Sequence, residues 1–244
     1  MASQRSAVGK EVAFIGGLVV IAVALILYLL MSSPDAAAPT AGPPATLQAV
    51  EPSVPAAERQ SPLSVERRVE ADPLAMGDRE APVVMVMFAD YRCPFCAKFS
   101  RETEPELVQR FVESGTLRLE WRDLPIFGEQ SMLAARAGRA AAEQGKFWEF
   151  NHAVFAVAPE RGHADLTEDA LIEFAQQAGV GDIAAFTAGM RDGTFNAAID
   201  ADLAQGNSIG VPSTPAFVVN GVPMLGAQPT EMFVRAIEDA AKRP

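Results

Sequence analysis

Cys93 and Cys96 are the only two cysteines of this 244-residue chain, spaced as Cys93-Pro94-Phe95-Cys96. With two residues between the thiols, the second can fold back onto the first, so the pair can pass between dithiol and disulfide. A strand pattern ends just before Cys93 and a helix pattern begins there. A helix N-terminus presents unpaired N–H groups and a dipole that favour an anion. The thiolate is the attacking species in disulfide exchange, and such a position lowers a cysteine pKa to about 3.5–7.5 from about 8.5. Cys93 is therefore expected to be the exposed, low-pKa thiol and Cys96 the buried one. Pro94 fits the first helical turn, where its missing N–H would be unpaired anyway. A purely structural disulfide is the competing use, although so short a loop constrains the unfolded chain little. His152 and His163 lie too far apart for an H-x₃₋₅-H pair, so neither a metal nor another cofactor is expected.

The elements that must hold this pair follow from the apolar periods. Pro82 to Ala89 is a continuous Val-rich run, too short for a helix, and reads as a buried central strand containing Met85 and Met87. A helix pattern from Phe95 to about Val112 follows. Thr116 to Trp121 alternates as a second strand and runs into a turn at Arg122-Asp123-Leu124-Pro125. Glu129 to about Leu203 reads almost wholly as helix, including the aromatic Phe147, Trp148 and Phe150, expected as core. Ala216–Asn220 and Val222–Leu225 flank Asn220-Gly221, a strong hairpin signal. Pro229 to Lys242 closes as a helix with Met232, Val234 and Ile237 inward. With the helical block lifted out, β-α-β and β-β-α remain, a sheet with helices on both faces. Cys93 then lies at the C-terminal end of a strand, where open α/β sheets place their sites.

Outside this domain the chain changes character. Ala13 to Met31 holds nineteen residues without a charge, about the length needed to cross roughly 30 Å of hydrocarbon. Arg5 and Lys10 precede the run, and after it no Lys or Arg occurs before Arg59. That bias places the N-terminus in the cytoplasm and the long C-terminal part outside it. Ala36-Ala37-Ala38 offers a cleavage site for a signal peptide, but the run exceeds the 7–15 apolar residues of such a signal, which favours an uncleaved anchor. The expected organisation is a cytoplasmic tail over 1–11, an anchor over 12–31, a Pro/Ala-rich tether over 32–64 and a domain over 65–244. Within the domain the sheet core spans about 80–126 and 210–244, and the helical insertion about 127–209. A net charge of −11, with no basic cluster or phosphate-cradling glycine loop, argues against nucleic acid as a partner.

Four motifs stand in order: Phe88-Ala89-Asp90-Tyr91-Arg92-Cys93-Pro94-Phe95-Cys96, Arg122-Asp123-Leu124-Pro125, Gly145-Lys146-Phe147-Trp148 and Val211-Pro212-Ser213-Thr214-Pro215-Ala216-Phe217. Together they resemble the membrane-anchored or secreted DsbA-like proteins of bacteria, over about Val65 to the C-terminus. The resemblance implies an α/β, thioredoxin-like fold with an inserted helical domain. It implies disulfide exchange with exported cysteine-containing polypeptides, and reoxidation by a membrane quinone-linked partner of the DsbB or VKOR type. It also implies that Pro215 is a cis-proline facing the cysteine pair, with Thr214 beside Cys93. On the residues alone, an ordinary strand-entry turn with Pro212 and Pro215 both trans is the plainer reading.

Two departures stand out. Members often carry Glu six residues before the first cysteine, as a proton acceptor for the second; here that position is Met87. Asp90 is the nearest acid in sequence for proton handling, with a cap or turn carboxylate as the alternative. The inter-cysteine pair is Pro94-Phe95 rather than Pro-His, and Phe95 donates no hydrogen bond to a Cys93 thiolate. Less stabilisation of the reduced form makes a less oxidising couple. Oxidase, reductase and isomerase share this chemistry, and an extracytoplasmic location favours oxidase. A tethered client-binding module with incidental cysteines is the reading from another class.

Overall fold

A computed structural model describes residues 63–243 of the chain. The expected tail, anchor helix and most of the tether lie outside the described residues. Among the described residues no helix is long and apolar enough to cross a membrane.

The chain forms β1 (Ala75–Met76), β2 (Val83–Ala89), α1 (Pro94–Glu102), α2 (Glu104–Leu107, running on as a π-helical segment Val108–Val112) and β3 (Leu117–Asp123). Helices α3 (Glu129–Ala142), α4 (Phe147–Ala156), α5 (Glu168–Gln177), α6 (Ile183–Asp192) and α7 (Asn196–Ser208) follow. β4 (Ala216–Val219), β5 (Val222–Leu225) and α8 (Thr230–Ala241) complete it. The sheet order is β1-β3-β2-β4-β5, with β2 and β3 parallel and the other neighbours antiparallel. The parallel pair needs a crossover, which α1 and α2 supply.

β2 is buried along its whole length, as a continuous apolar run demands of a central strand. Val83, Met85, Met87 and Ala89 join the core that includes Cys96, Phe99, Trp121 and Phe150. Val84, Val86 and Phe88 point into a second core with Leu124, Ala216 and Val218, against which Leu203, Ile209 and Val211 pack. Asn220 and Gly221 take φ of 42° and 81° at the β4–β5 turn. Left-handed backbone at both central positions is what a two-residue hairpin requires.

Three expectations needed correction. The helix expected through Val112 breaks at Thr103, because Pro105 lacks an N–H and its ring opposes the carbonyl four residues back. The second strand continues through Asp123 instead of turning at Arg122, and its polar side is not solvated. Arg118, Glu120 and Arg122 are all buried. In the last helix Phe233 and Ile237 face inward, while Met232 is exposed.

The buried polar side of β3 is an ionic network. Glu120 accepts from Arg118 Nε at 2.9 Å, Arg122 Nη2 at 2.7 Å and the backbone N–H groups of Arg67 and Arg68. Burial alone would push its pKa up, but these four donors hold it down to about 2. Across the strand end, Arg139 of α3 bonds Asp123 at 2.7 Å and Asp202 of α7 at 2.6 Å. Burial, with Asp202 as a like charge, raises Asp123 to about 6 despite Arg139 and the Trp121 indole N–H.

His152 of α4 ties the helical insertion to α2, its Nε2 lying 2.5 Å from Glu104 Oε1. This contact raises the His152 pKa, with burial opposing. A base raised in the folded state adds stability that is complete below its unfolded value of about 6.5 and is lost as pH climbs through the raised value. His152→Ala should therefore cost about 1 kcal/mol at pH 5–6, a modest figure because the imidazole is half exposed, and less above pH 8. Denaturant unfolding of both proteins at the two pH values checks this, and an equal gap at both would exclude it.

Candidate active site

β2 delivers the turn Asp90-Tyr91-Arg92 to the mouth of α1. Cys93 is the N-cap residue of that helix, with extended backbone and no side-chain cap bond, and Pro94 opens the helix. The Thr214–Pro215 peptide bond is cis. The Thr214 carbonyl lies 3.2 Å from Cys93 Sγ and accepts from it while it is protonated. Both cysteines are free thiols.

The two thiols sit in opposed environments. Cys93 is lowered to about 6, chiefly by a hydrogen bond from the Cys96 thiol. Burial opposes this shift, while the backbone N–H groups of Cys96 and Phe95, in the first turn of α1, add to it. Cys96 is pushed well above its ordinary value, first by burial and then by its role as donor to Cys93. One thiol is thus ready to ionise and its neighbour to hold a proton. Contrary to the expectation of an exposed thiol, Cys93 is only 2 % exposed. Burial here raises the cost of the thiolate, and the donors around Sγ outweigh it. The exposed group of the motif is Phe95, at 59 %.

A family model described as thioredoxin matches residues 70–239. The chain belongs to the thioredoxin family. Within it, the fold matches the oxidised crystal structure of BdbD from Bacillus subtilis with a TM-score of 0.66 and 23 % identity, covering 71 % of this chain and 94 % of that one. A curated relative named probable disulfide bond formation protein D, from Bacillus cereus, is 26 % identical over 150 residues, 60 % of this chain and 69 % of that protein. A second relative, named Na(+)/H(+) antiporter NhaA 3 of Salinispora tropica, is 34 % identical over 168 residues, 67 % of this chain and 24 % of that protein. The chain thus spans about a quarter of the length of the antiporter relative. The thioredoxin-like fold with a helical insertion agrees with the resemblance read from the four motifs.

Around the pair, this thioredoxin-family chain spends its polar side chains on fixing the turn. Asp90 is buried, and its carboxylate accepts from Arg92 N at 2.8 Å, Ile126 N at 2.7 Å and Phe127 N at 3.2 Å. The Asp90 pKa is raised by burial, with those N–H groups pulling it down. Its geometry is that of a carboxylate joining the Cys93 turn to the β3–α3 turn. Met87 is buried in the central strand, paired in register with Trp121 and Phe217.

Sequence reasoning gave Arg92 and Tyr91 no roles of their own. Arg92 donates from Nε to the Ala164 carbonyl at 2.9 Å and from Nη1 to the Phe127 carbonyl at 2.6 Å, clamping the turn to the insertion. Tyr91 lies against Gly138 of α3, where an added Cβ would meet its hydroxyl oxygen at 2.3 Å. That glycine is required for the close approach. No local pattern announces contacts that span 35 residues or more. Among the described residues no cluster of three or more His, Cys, Asp or Glu could hold a metal ion.

Proposed function

We propose that the chain is a membrane-tethered, extracytoplasmic thiol–disulfide oxidoreductase that introduces disulfides into exported polypeptides through Cys93 and Cys96. The observation that carries this reading is the opposed pair of thiols: Cys93 lowered to about 6 at a helix mouth, and Cys96 raised behind it. The apolar run Ala13–Met31 and its flanking charges support the tether and its orientation. The disulfide bond formation protein of Bacillus cereus supports the direction.

In the oxidised protein a client thiolate attacks Cys93 Sγ and breaks the Cys93–Cys96 bond. The electron pair leaves on Cys96 Sγ, which takes up a proton as its raised pKa favours. A second client thiolate then attacks the client sulfur of the mixed disulfide and expels Cys93, which leaves readily as a low-pKa thiolate. The client has lost two electrons and the pair has gained them. A quinone-linked membrane partner of the DsbB or VKOR type would accept those electrons and restore the disulfide. Pro94 starts the helix that stabilises the leaving thiolate, and Thr214 and Pro215 line its other side. Asp90 serves this cycle by holding the turn, and the proton-handling role rests only on its raised pKa.

Direction is tested by equilibrating the pair with glutathione. Phe95 supplies no hydrogen bond, so the potential should be more reducing than about −120 mV, the value of the strongest oxidant of this fold. The helix-mouth donors remain, so it should stay above the thioredoxin value of about −270 mV. A lower value would make the protein a reductase fed by a membrane electron donor.

A further inference from the structure

The helical insertion places one titratable side chain against the cysteine turn. His163 lies in the connection between α4 and α5, exposed to solvent. Its Nδ1 is 3.2 Å from the Arg92 carbonyl oxygen, the carbonyl bonded directly to the Cys93 nitrogen. Its ring packs on Phe127, with centroids 4.2 Å apart and planes 33° apart. Neighbouring contacts fix this position. Arg92 bonds the carbonyls of Phe127 and Ala164, Gln130 holds Asp165 at 2.6 Å, and Phe127 N donates to Asp90.

Because a carbonyl only accepts, Nδ1 must carry the hydrogen. The free nitrogen is then Nε2, so a proton taken up there leaves the contact with Arg92 in place. Protonation therefore adds a positive charge without moving the ring. Five covalent bonds separate the Arg92 oxygen from Cys93 Sγ, which puts the imidazole within roughly 10 Å of the sulfur. That is about one Debye length at 0.1 M salt, so the charge is felt. The charged groups nearby are Asp90 and Arg92 on the cysteine turn, Glu129 at the start of α3, and Glu160, Arg161 and Asp165 on the connection itself. Asp90 and Arg92 are committed to the loop contacts described above.

We propose that His163 tunes the Cys93 thiol: held against the Arg92 carbonyl, its imidazolium supplies from the insertion the positive charge that Phe95 cannot supply from between the cysteines. The consequence is a thiolate favoured most in acid, where thiol exchange is otherwise slowest. This inference rests on Cys93 being the exchanging thiolate.

The test is the rate at which iodoacetamide, a neutral reagent, alkylates Cys93 in the reduced full-length chain at pH 5 and pH 8.5. His163→Phe keeps a ring on Phe127, and His163→Gln keeps a donor for the Arg92 carbonyl, and both lack the charge. Each should react about threefold to tenfold more slowly than the parent at pH 5, the effect of a unit charge at this range, and equally fast at pH 8.5. Parental rates in both variants at pH 5 would overturn the proposal. So would a Gln variant matching the parent while the Phe variant is slow, since the hydrogen bond would then be responsible. Slowing that is equal at both pH values would mark a structural role and also overturn it. A parent whose Cys93 reacts no faster than a free cysteine would instead overturn the exchange reading itself.

Discussion

Replacing Cys96 by Ala should make the protein accumulate mixed disulfides with its clients through Cys93, while Cys93→Ser should abolish exchange. In the variant the Cys93 thiolate attacks a client disulfide and forms the mixed disulfide; the back attack of Cys96 on Cys93, which in the parent re-forms the pair and releases the client reduced, is missing, so the covalent complex persists. The high pKa of Cys96 keeps that back attack slow in the parent, and the low pKa of Cys93 makes it the better leaving sulfur. Loss of the nucleophile from a covalent mechanism costs on the order of 10³-fold in rate or more. Non-reducing electrophoresis after acid quenching reads both effects. Reducible adducts should appear with Cys96→Ala and not with Cys93→Ser. A Cys96→Ala protein that binds clients only non-covalently would support the client-binding module instead.

A comparably large effect, on stability, is expected far from the sulfurs. Arg139→Met leaves Asp123 and Asp202 close together without the cation that bridges them at 2.7 and 2.6 Å. Breaking a buried pair by removing one partner costs about 3–5 kcal/mol. Arg67, 2.6 Å from Asp202, stays in place and moderates the loss. The sign of the pH dependence follows from Asp123, already raised to about 6 by burial. A carboxyl raised in the folded state costs stability above its folded pKa, and the cost fades as pH falls towards the ordinary value of about 3.9. Without Arg139 that pKa rises further. The variant should therefore lose most at pH 8 and distinctly less at pH 5, as urea unfolding at the two values would show. A loss below about 1 kcal/mol at pH 8 would mean that the network relaxes without Arg139.

The reach of the sequence is clearest in β2 and in the Asn220-Gly221 hairpin, where pattern and structure agree because each is set by its own neighbourhood. β3 shows the limit. Its alternation of Leu117, Leu119 and Trp121 with Arg118 and Glu120 marks a strand, with Arg122 read as the start of a turn, and does not say what covers the charged side. The polar face is in fact buried, because residues 65, 67, 68 and 205 bring partners to it. Those partners are distant in sequence, so no local window holds the information. At the site, Cys93 and Cys96 declare themselves by spacing. The burial of Cys93 does not, since it depends on a loop more than a hundred residues away. Asp90 and His163 are single polar residues in ordinary turns, and only the fold shows that one joins two loops and the other faces the cysteine turn. Met232 and Phe233 show a smaller limit, because an amphipathic helix leaves its exact facing to the packing around it.

The central claim is that Cys93 is an ionised thiol at physiological pH beside a protonated Cys96. Absorbance of the thiolate at 240 nm, followed in the reduced full-length chain from pH 3 to pH 10, tests it directly. The account predicts one thiolate forming with a midpoint of about 6, absent from Cys93→Ser, and no second step from Cys96 below pH 9. A first midpoint at or above about 8.5, the value of an ordinary free cysteine, would contradict it.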